Sequence, residues 1–147
     1  LSLIVGAAPG NDIKLSEDRI RGYKHFANKL WNIARFVLSQ QRDGAPRADL
    51  IREFDGIAAE VTKNIEQYRL DLAFDKLYHY LWDRFAAQII EESKEKPEYG
   101  ETLYYILENS LKLLHPFMPF VTEEIWPHFA KATRDKPSLL MVEKWPK

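Results

Sequence analysis

Residues 20–38 read IRGYKHFANKLWNIARFVL, and in that run Ile20, Tyr23, Ala27, Leu30, Trp31, Ala34, Val37 and Leu38 recur at intervals of three and four. That spacing lays one broad apolar face along an α-helix, because residues three or four apart stand above one another on its surface. Ser16 is placed to cap the helix, with Glu17 and Asp18 at the positive end of its dipole, although Arg19 stands where a capping box needs Glu or Gln. Asp43-Gly44-Ala45-Pro46 stops the pattern, so the helix is expected to run from Ser16 to about Gln41.

The same period recurs downstream. A second helix from about Asp49 turns Leu50, Phe54, Ile57, Val61, Ile65 and Tyr68 inward, with Gly56 costing it roughly 1 kcal/mol relative to Ala. A third, capped by Asp71, carries Phe74, Leu77, Tyr78, Leu81, Phe85 and Ile89 until Lys94 to Gly100 breaks the pattern at Pro97. A fourth presents Leu103, Ile106, Leu107, Ser110 and Leu114 and stops at His115-Pro116, because the residue before a proline is pushed out of the helical region. Pro119 then opens a short fifth helix through Glu123, Glu124 and Trp126, since a first-turn proline loses no hydrogen bond. No stretch alternates with period two for more than a few residues. The expected fold is all-α, a bundle of four long helices and a short fifth with an extended C-terminal tail. One domain fills residues 1–147, with 1–15 as a linker and 132–147 as the tail.

Composition agrees with a single folded domain. The 147 residues are 46% hydrophobic and 29% charged, far from the balance at which chains stay disordered. With 21 Lys and Arg against 22 Asp and Glu, the net charge is -1, so no domain-wide positive field attracts nucleic acid or an anionic membrane, and any such role must be local. There is no cysteine, which excludes disulfides, thiolate nucleophiles and cysteine metal sites and agrees with a cytoplasmic location. No apolar run reaches the roughly 18 residues that span a bilayer, and Leu1-Ser2-Leu3-Ile4 lacks the basic flank of a signal peptide. A first residue of Leu leading into an apolar stretch is expected of a segment of a longer protein.

Signs of catalysis are missing. Gly6 to Gly10 lacks the Gly-Lys-Ser/Thr that completes a phosphate loop. His25, His79, His115 and His128 show no i, i+4 pairing for a metal, so no metal site is expected. Asp71 with Asp75, Glu91 with Glu92 and Glu123 with Glu124 read as solvated or helix-start acids, having no partner to split their pKa values into an acid and a base. No catalytic residue is assigned.

One local feature stands out against the balanced charge. From Lys14 to Arg35, six basic residues (Lys14, Arg19, Arg21, Lys24, Lys29, Arg35) face two acidic ones (Glu17, Asp18), a net charge of +4. At about 100° per residue, Arg21, His25, Asn28, Asn32 and Arg35 fall on one narrow strip opposite the apolar face, with Lys29 and Phe36 along its edge. Cations for phosphates, amides for base edges and an aromatic for stacking are the contacts single-stranded RNA requires. Each has an ordinary alternative: a solvated helix face for the cations, interhelical bonding for the asparagines, and core packing for Phe36.

Two segments tip that balance. Gly10-Asn11-Asp12-Ile13-Lys14, leading into Gly22-Tyr23-Lys24-His25-Phe26-Ala27-Asn28-Lys29-Leu30-Trp31-Asn32-Ile33-Ala34-Arg35-Phe36, resembles the helix that follows the catalytic domain in the valyl-tRNA synthetase family. Leu113-Leu114-His115-Pro116-Phe117-Met118-Pro119-Phe120-Val121-Thr122-Glu123-Glu124-Ile125-Trp126 resembles a second signature of the same domain, and Tyr68-Arg69-Leu70-Asp71 and Trp82 to Lys94 lie between them in the expected order. The resemblance implies a class I aminoacyl-tRNA synthetase anticodon-binding domain, a helical bundle that grips the anticodon stem-loop of a valine-specific tRNA. Its other expected partners are the catalytic and editing domains of the same parent chain. The parent ligase would use ATP and Mg, whereas this segment, lacking the family's HIGH and KMSKS signatures, is expected to hold no cofactor. It implies that the first-helix strip, Arg21, His25, Asn28, Lys29, Asn32, Arg35 and Phe36, meets the tRNA, while Pro116 and Pro119 fix the corner between helices four and five and Trp126 buries its ring. Two alternatives remain: the same domain of an isoleucyl or leucyl relative, and a helical protein-interaction scaffold without RNA contact.

Overall fold

The computed structural model describes the backbone of residues 13–42, 44–133 and 145–146, and the side chains of residues 21–42, 44–129, 145 and 146. Helix α1 is Ile13–Ser39, α2 is Ala48–Glu66 and α3 is Leu70–His79. From α3 the chain passes without a break through a π-helical stretch, Tyr80–Ile89, into α4, Ile90–Ser93. A 3-10 turn, Pro97–Tyr99, leads into α5, Gly100–Leu114, and α6 is Pro119–Thr133. Among the described residues there is no strand, and the helices form the all-α bundle that their periodicity predicts.

Helix ends differ from expectation where capping residues are outweighed by good helix formers beyond them. α1 is already helical at Ile13, so Ser16 lies within the first turn instead of capping it; no Gly or Pro between Ile13 and Ser16 halts propagation. Asp71 likewise sits in the first turn of α3, and the residue before that helix, Arg69, makes no side-chain cap bond. Tyr68, expected to point inward, occupies the reversal between α2 and α3 at φ 59° and is 91% exposed. α6 has 15 residues, as many as α5, so the fifth helix is not short: its interior Pro127 is exposed and interrupts only one backbone bond. At the chain ends, residues 13–15 and 132–133 are helical, and the rest of the expected linker and tail lies outside the described residues except Trp145 and Pro146. Trp145 is non-helical, and its indole Nε1 donates 2.8 Å to Thr62 Oγ1 on α2.

α5 is the central element: it packs against α1, α2, α3 and α6, and ten of its 15 residues are buried. Leu103, Ile106, Leu107, Leu111 and Leu114 on α5 join Phe26, Leu30, Ile33 and Val37 of α1, and Trp126 of α6, in one core. α5 also closes the C-terminal end of α1, whose last carbonyls have no intrahelical partner. The Tyr104 hydroxyl lies 3.3 Å from both the Leu38 and the Gln40 carbonyl oxygens, and Arg42, just beyond α1, makes a bidentate ion pair with Glu101 (Nε to Oε2 2.8 Å). At the α5–α6 corner, the Thr122 hydroxyl donates to the Met118 carbonyl at 2.9 Å and lies 3.1 Å from His115 Nδ1, which holds the turn introduced by Pro116. With its opposite face committed to this core, α1 is held rigidly while its polar strip faces outward.

Candidate nucleic-acid interface

The strip emerges as the sequence places it. Arg21, His25, Asn28, Asn32 and Arg35 are all exposed on α1, as is Lys24 beside them, whereas Phe26, Leu30, Ile33, Ala34 and Val37 on the other face are buried. A 1.5 Å rise per residue makes the ridge from Arg21 to Arg35 about 21 Å long. Among the described residues, no carboxylate lies within ion-pair distance of Arg21, Lys24, Lys29 or Arg35. Arg42, Arg47 and Arg84, by contrast, are paired with Glu101, Asp49 and Glu53, and each guanidinium is held further above its ordinary pKa, chiefly by the hydrogen bond to that carboxylate. Among the described residues, the ridge thus differs from those three arginines in having no carboxylate partner.

Lys29 and Phe36 are half-buried at the edge, against residues far away in the sequence. Lys29 Nζ stands 5.5 Å from the ring centroid of Trp82, a cation–π contact that fixes the end of a flexible side chain. Trp82 is stacked on Tyr78 (5.6 Å, 21° between planes), and both rings pack around Phe26. The spacing of Tyr78 and Trp82 crosses from α3 into the π stretch, so a helix widened by bonding five residues back carries the platform beneath Lys29. Nearer the end of α1, Lys94 Nζ lies 5.9 Å from the Phe36 ring centroid and is paired with Glu91 at 2.8 Å. Phe36 thus combines core packing with an accessible edge instead of standing free in solvent.

The opposite flank of the ridge holds residues to which sequence reasoning assigned no ligand. Trp31, half-buried, has the Arg35 guanidinium 5.9 Å from its ring centroid and the exposed His128 of α6 5.9 Å away at 65°. Trp31 reads as an ordinary apolar position, and Trp82, Lys94 in the turn after α4 and His128 on α6 lie far along the chain, so only the tertiary contacts reveal them. Among the described residues, no group of three or more His, Asp or Glu side chains is placed to hold a metal ion, and no helix is long and apolar enough to cross a membrane.

Comparison with known proteins identifies the family. A family model for the anticodon-binding domain of tRNA ligase matches residues 48–147, which begins at α2 and leaves the α1 ridge ahead of the matched span. Valine–tRNA ligases of Syntrophotalea carbinolica, Geobacter sulfurreducens and Carboxydothermus hydrogenoformans are 43%, 38% and 36% identical to this chain over 85%, 96% and 99% of it. The chain spans 16–18% of the length of those relatives. Matched over more than half of its length, and folded as an all-helical bundle, the chain belongs to the family of tRNA ligase anticodon-binding domains.

Proposed function

We infer that α1 is the surface that meets the anticodon loop, and that the cognate RNA is a valine-specific tRNA. Arg21, Lys29 and Arg35 hold phosphates, Asn28 and Asn32 read base edges, His25 lines the same strip, and Phe36 stacks on an unpaired base. The observation that carries this reading is a row of cations with no carboxylate partner among the described residues, interspersed with amides on a helix whose other face is packed into the core. Valine specificity rests on the names of the relatives. The parent would be a cytoplasmic ligase, with its catalytic and editing domains elsewhere in the longer chain. ATP and magnesium would serve that catalytic domain: the described residues here offer no cluster of donors for the ion. This domain's part is to bind and orient the RNA.

Affinity for the anticodon stem-loop tests the assignment directly in the intact protein. Lys29→Ala should weaken binding and lower the slope of log K against log salt by about 0.7, as expected for one single-strand phosphate contact. Phe36→Ala should cost about 1–3 kcal/mol of binding, the worth of one stacked base. Because Phe36 is half-buried, thermal melting of that variant checks the fold. Unchanged affinity at low salt in both variants removes the assignment.

A further inference from the structure

On the α6 side of the ridge lies an open cleft of about 590 Å³, lined by Trp31, Ala34, Arg35, Leu38, Ile125 and His128 with Ser39 at its end. Its volume falls within the roughly 300–1,000 Å³ typical of small-ligand clefts, too small for a duplex and adequate for one nucleotide. The chemistry of the walls is divided. Ala34, Leu38 and Ile125 make an apolar lining, Trp31 contributes an indole, and Arg35 and His128 add polar groups, with no carboxylate among the described lining residues. Arg35 is shared with the polar ridge, so the cleft is continuous with it.

We propose that this cleft receives one nucleotide extruded from the RNA loop lying along α1, its base against the Trp31 ring and its phosphate held by Arg35 and His128. The inference rests on the RNA-loop reading of α1 and adds a second stacking position to it, on the flank opposite Phe36. A flat aromatic base with an attached anion meets both halves of the cleft, the apolar lining and the polar groups. An unpaired base has a π-face whatever its identity, so stacking here is tolerant of sequence, and the polar groups govern how the backbone turns. His128 comes from α6, so the loop would be clamped by two helices that α5 holds in fixed relation, each of them packed on α5.

The test measures affinity of the intact protein for the anticodon stem-loop and for a series of the same hairpin made abasic at one loop position at a time. Trp31→Ala and His128→Ala should each weaken binding of the unmodified hairpin by at least about fivefold. The Trp31→Ala loss should vanish against the hairpin abasic at one particular position, which identifies the base that enters the cleft. His128 is exposed, so His128→Ala keeps the fold intact if Trp31→Ala does not. Losses that are equal for every abasic hairpin, or no loss in either variant while Lys29→Ala and Phe36→Ala still weaken binding, overturn the cleft assignment alone. Wild-type affinity in all four variants overturns the α1 reading with it.

Discussion

Helices α1 and α5 lie side by side in the same core and are buried to very different extents. α5 buries ten of its 15 residues and touches α1, α2, α3 and α6. α1 buries one face, through Phe26, Leu30, Ile33, Ala34 and Val37, and leaves a cationic, amide-bearing ridge in solvent. The difference teaches that surrounding one helix with the bundle leaves a face of its neighbour open to solvent. Most of α5 is spent on the core, whereas one face of α1 stays in solvent.

Substitutions in the two helices should therefore separate stability from affinity. Leu107 on α5 is fully buried, and Leu107→Ala should destabilise the fold by about 2–5 kcal/mol in urea denaturation, leaving RNA affinity per folded molecule unchanged. Asn32→Ala on the α1 ridge should stay within about 0.5 kcal/mol of wild-type stability while weakening RNA binding. Comparable stability losses in both variants would break the contrast.

The seam between the helices supplies smaller effects. Gly44, between α1 and α2, has φ +83°, and a β-carbon there would stand 2.6 Å from the Glu98 carbonyl oxygen in the turn leading to α5. Gly44→Ala should cost about 1–3 kcal/mol, read as a lowered denaturation midpoint. Gly56, inside α2, has open space around its missing β-carbon, so the same substitution there should stabilise by up to about 1 kcal/mol. Opposite signs for one chemical change sharpen the distinction between a junction and a free helical surface.

The smallest effect tests the ion pair joining the end of α1 to the start of α5. The hydrogen bond from Arg42 is the largest influence on the Glu101 carboxyl and holds it below its ordinary pKa. A depressed carboxyl adds stability above the ordinary glutamate range, and that stability is lost as pH falls through the depressed value. Both side chains are partly solvated, so Glu101→Gln should cost no more than about 1 kcal/mol at neutral pH. The gap between variant and wild type should close on acidification; a gap that stays constant to low pH refutes a charge-dependent seam.

Much of this was legible in the linear order. The three–four spacing of Leu30, Ala34 and Val37, and of Leu103, Ile106 and Leu107, gives both the helices and their buried faces. The ridge is legible for the same reason, because an angle of about 100° per residue places Arg21, His25, Asn28, Asn32 and Arg35 together without reference to any other helix. Tyr68 was misjudged as core because a period cannot announce where the chain reverses, and helix starts at Ser16 and Asp71 were misjudged because capping residues are weak signals beside strong propensity. The π stretch at Tyr80–Ile89 leaves no distinct trace in the apolar pattern.

By itself, the sequence determined an all-helical chain with a cationic strip on its first helix and a family likeness along nearly its whole length. Tertiary structure alone decided what flanks that strip. Trp82 beneath Lys29, Lys94 over Phe36 and His128 across from Trp31 are brought in by other parts of the bundle, from positions roughly 50 to 100 residues away in the chain. Local periodicity specifies which way a side chain points from its own axis. Which neighbour it meets depends on how the axes cross, and that is set by the packing of α1, α2, α3 and α6 around α5.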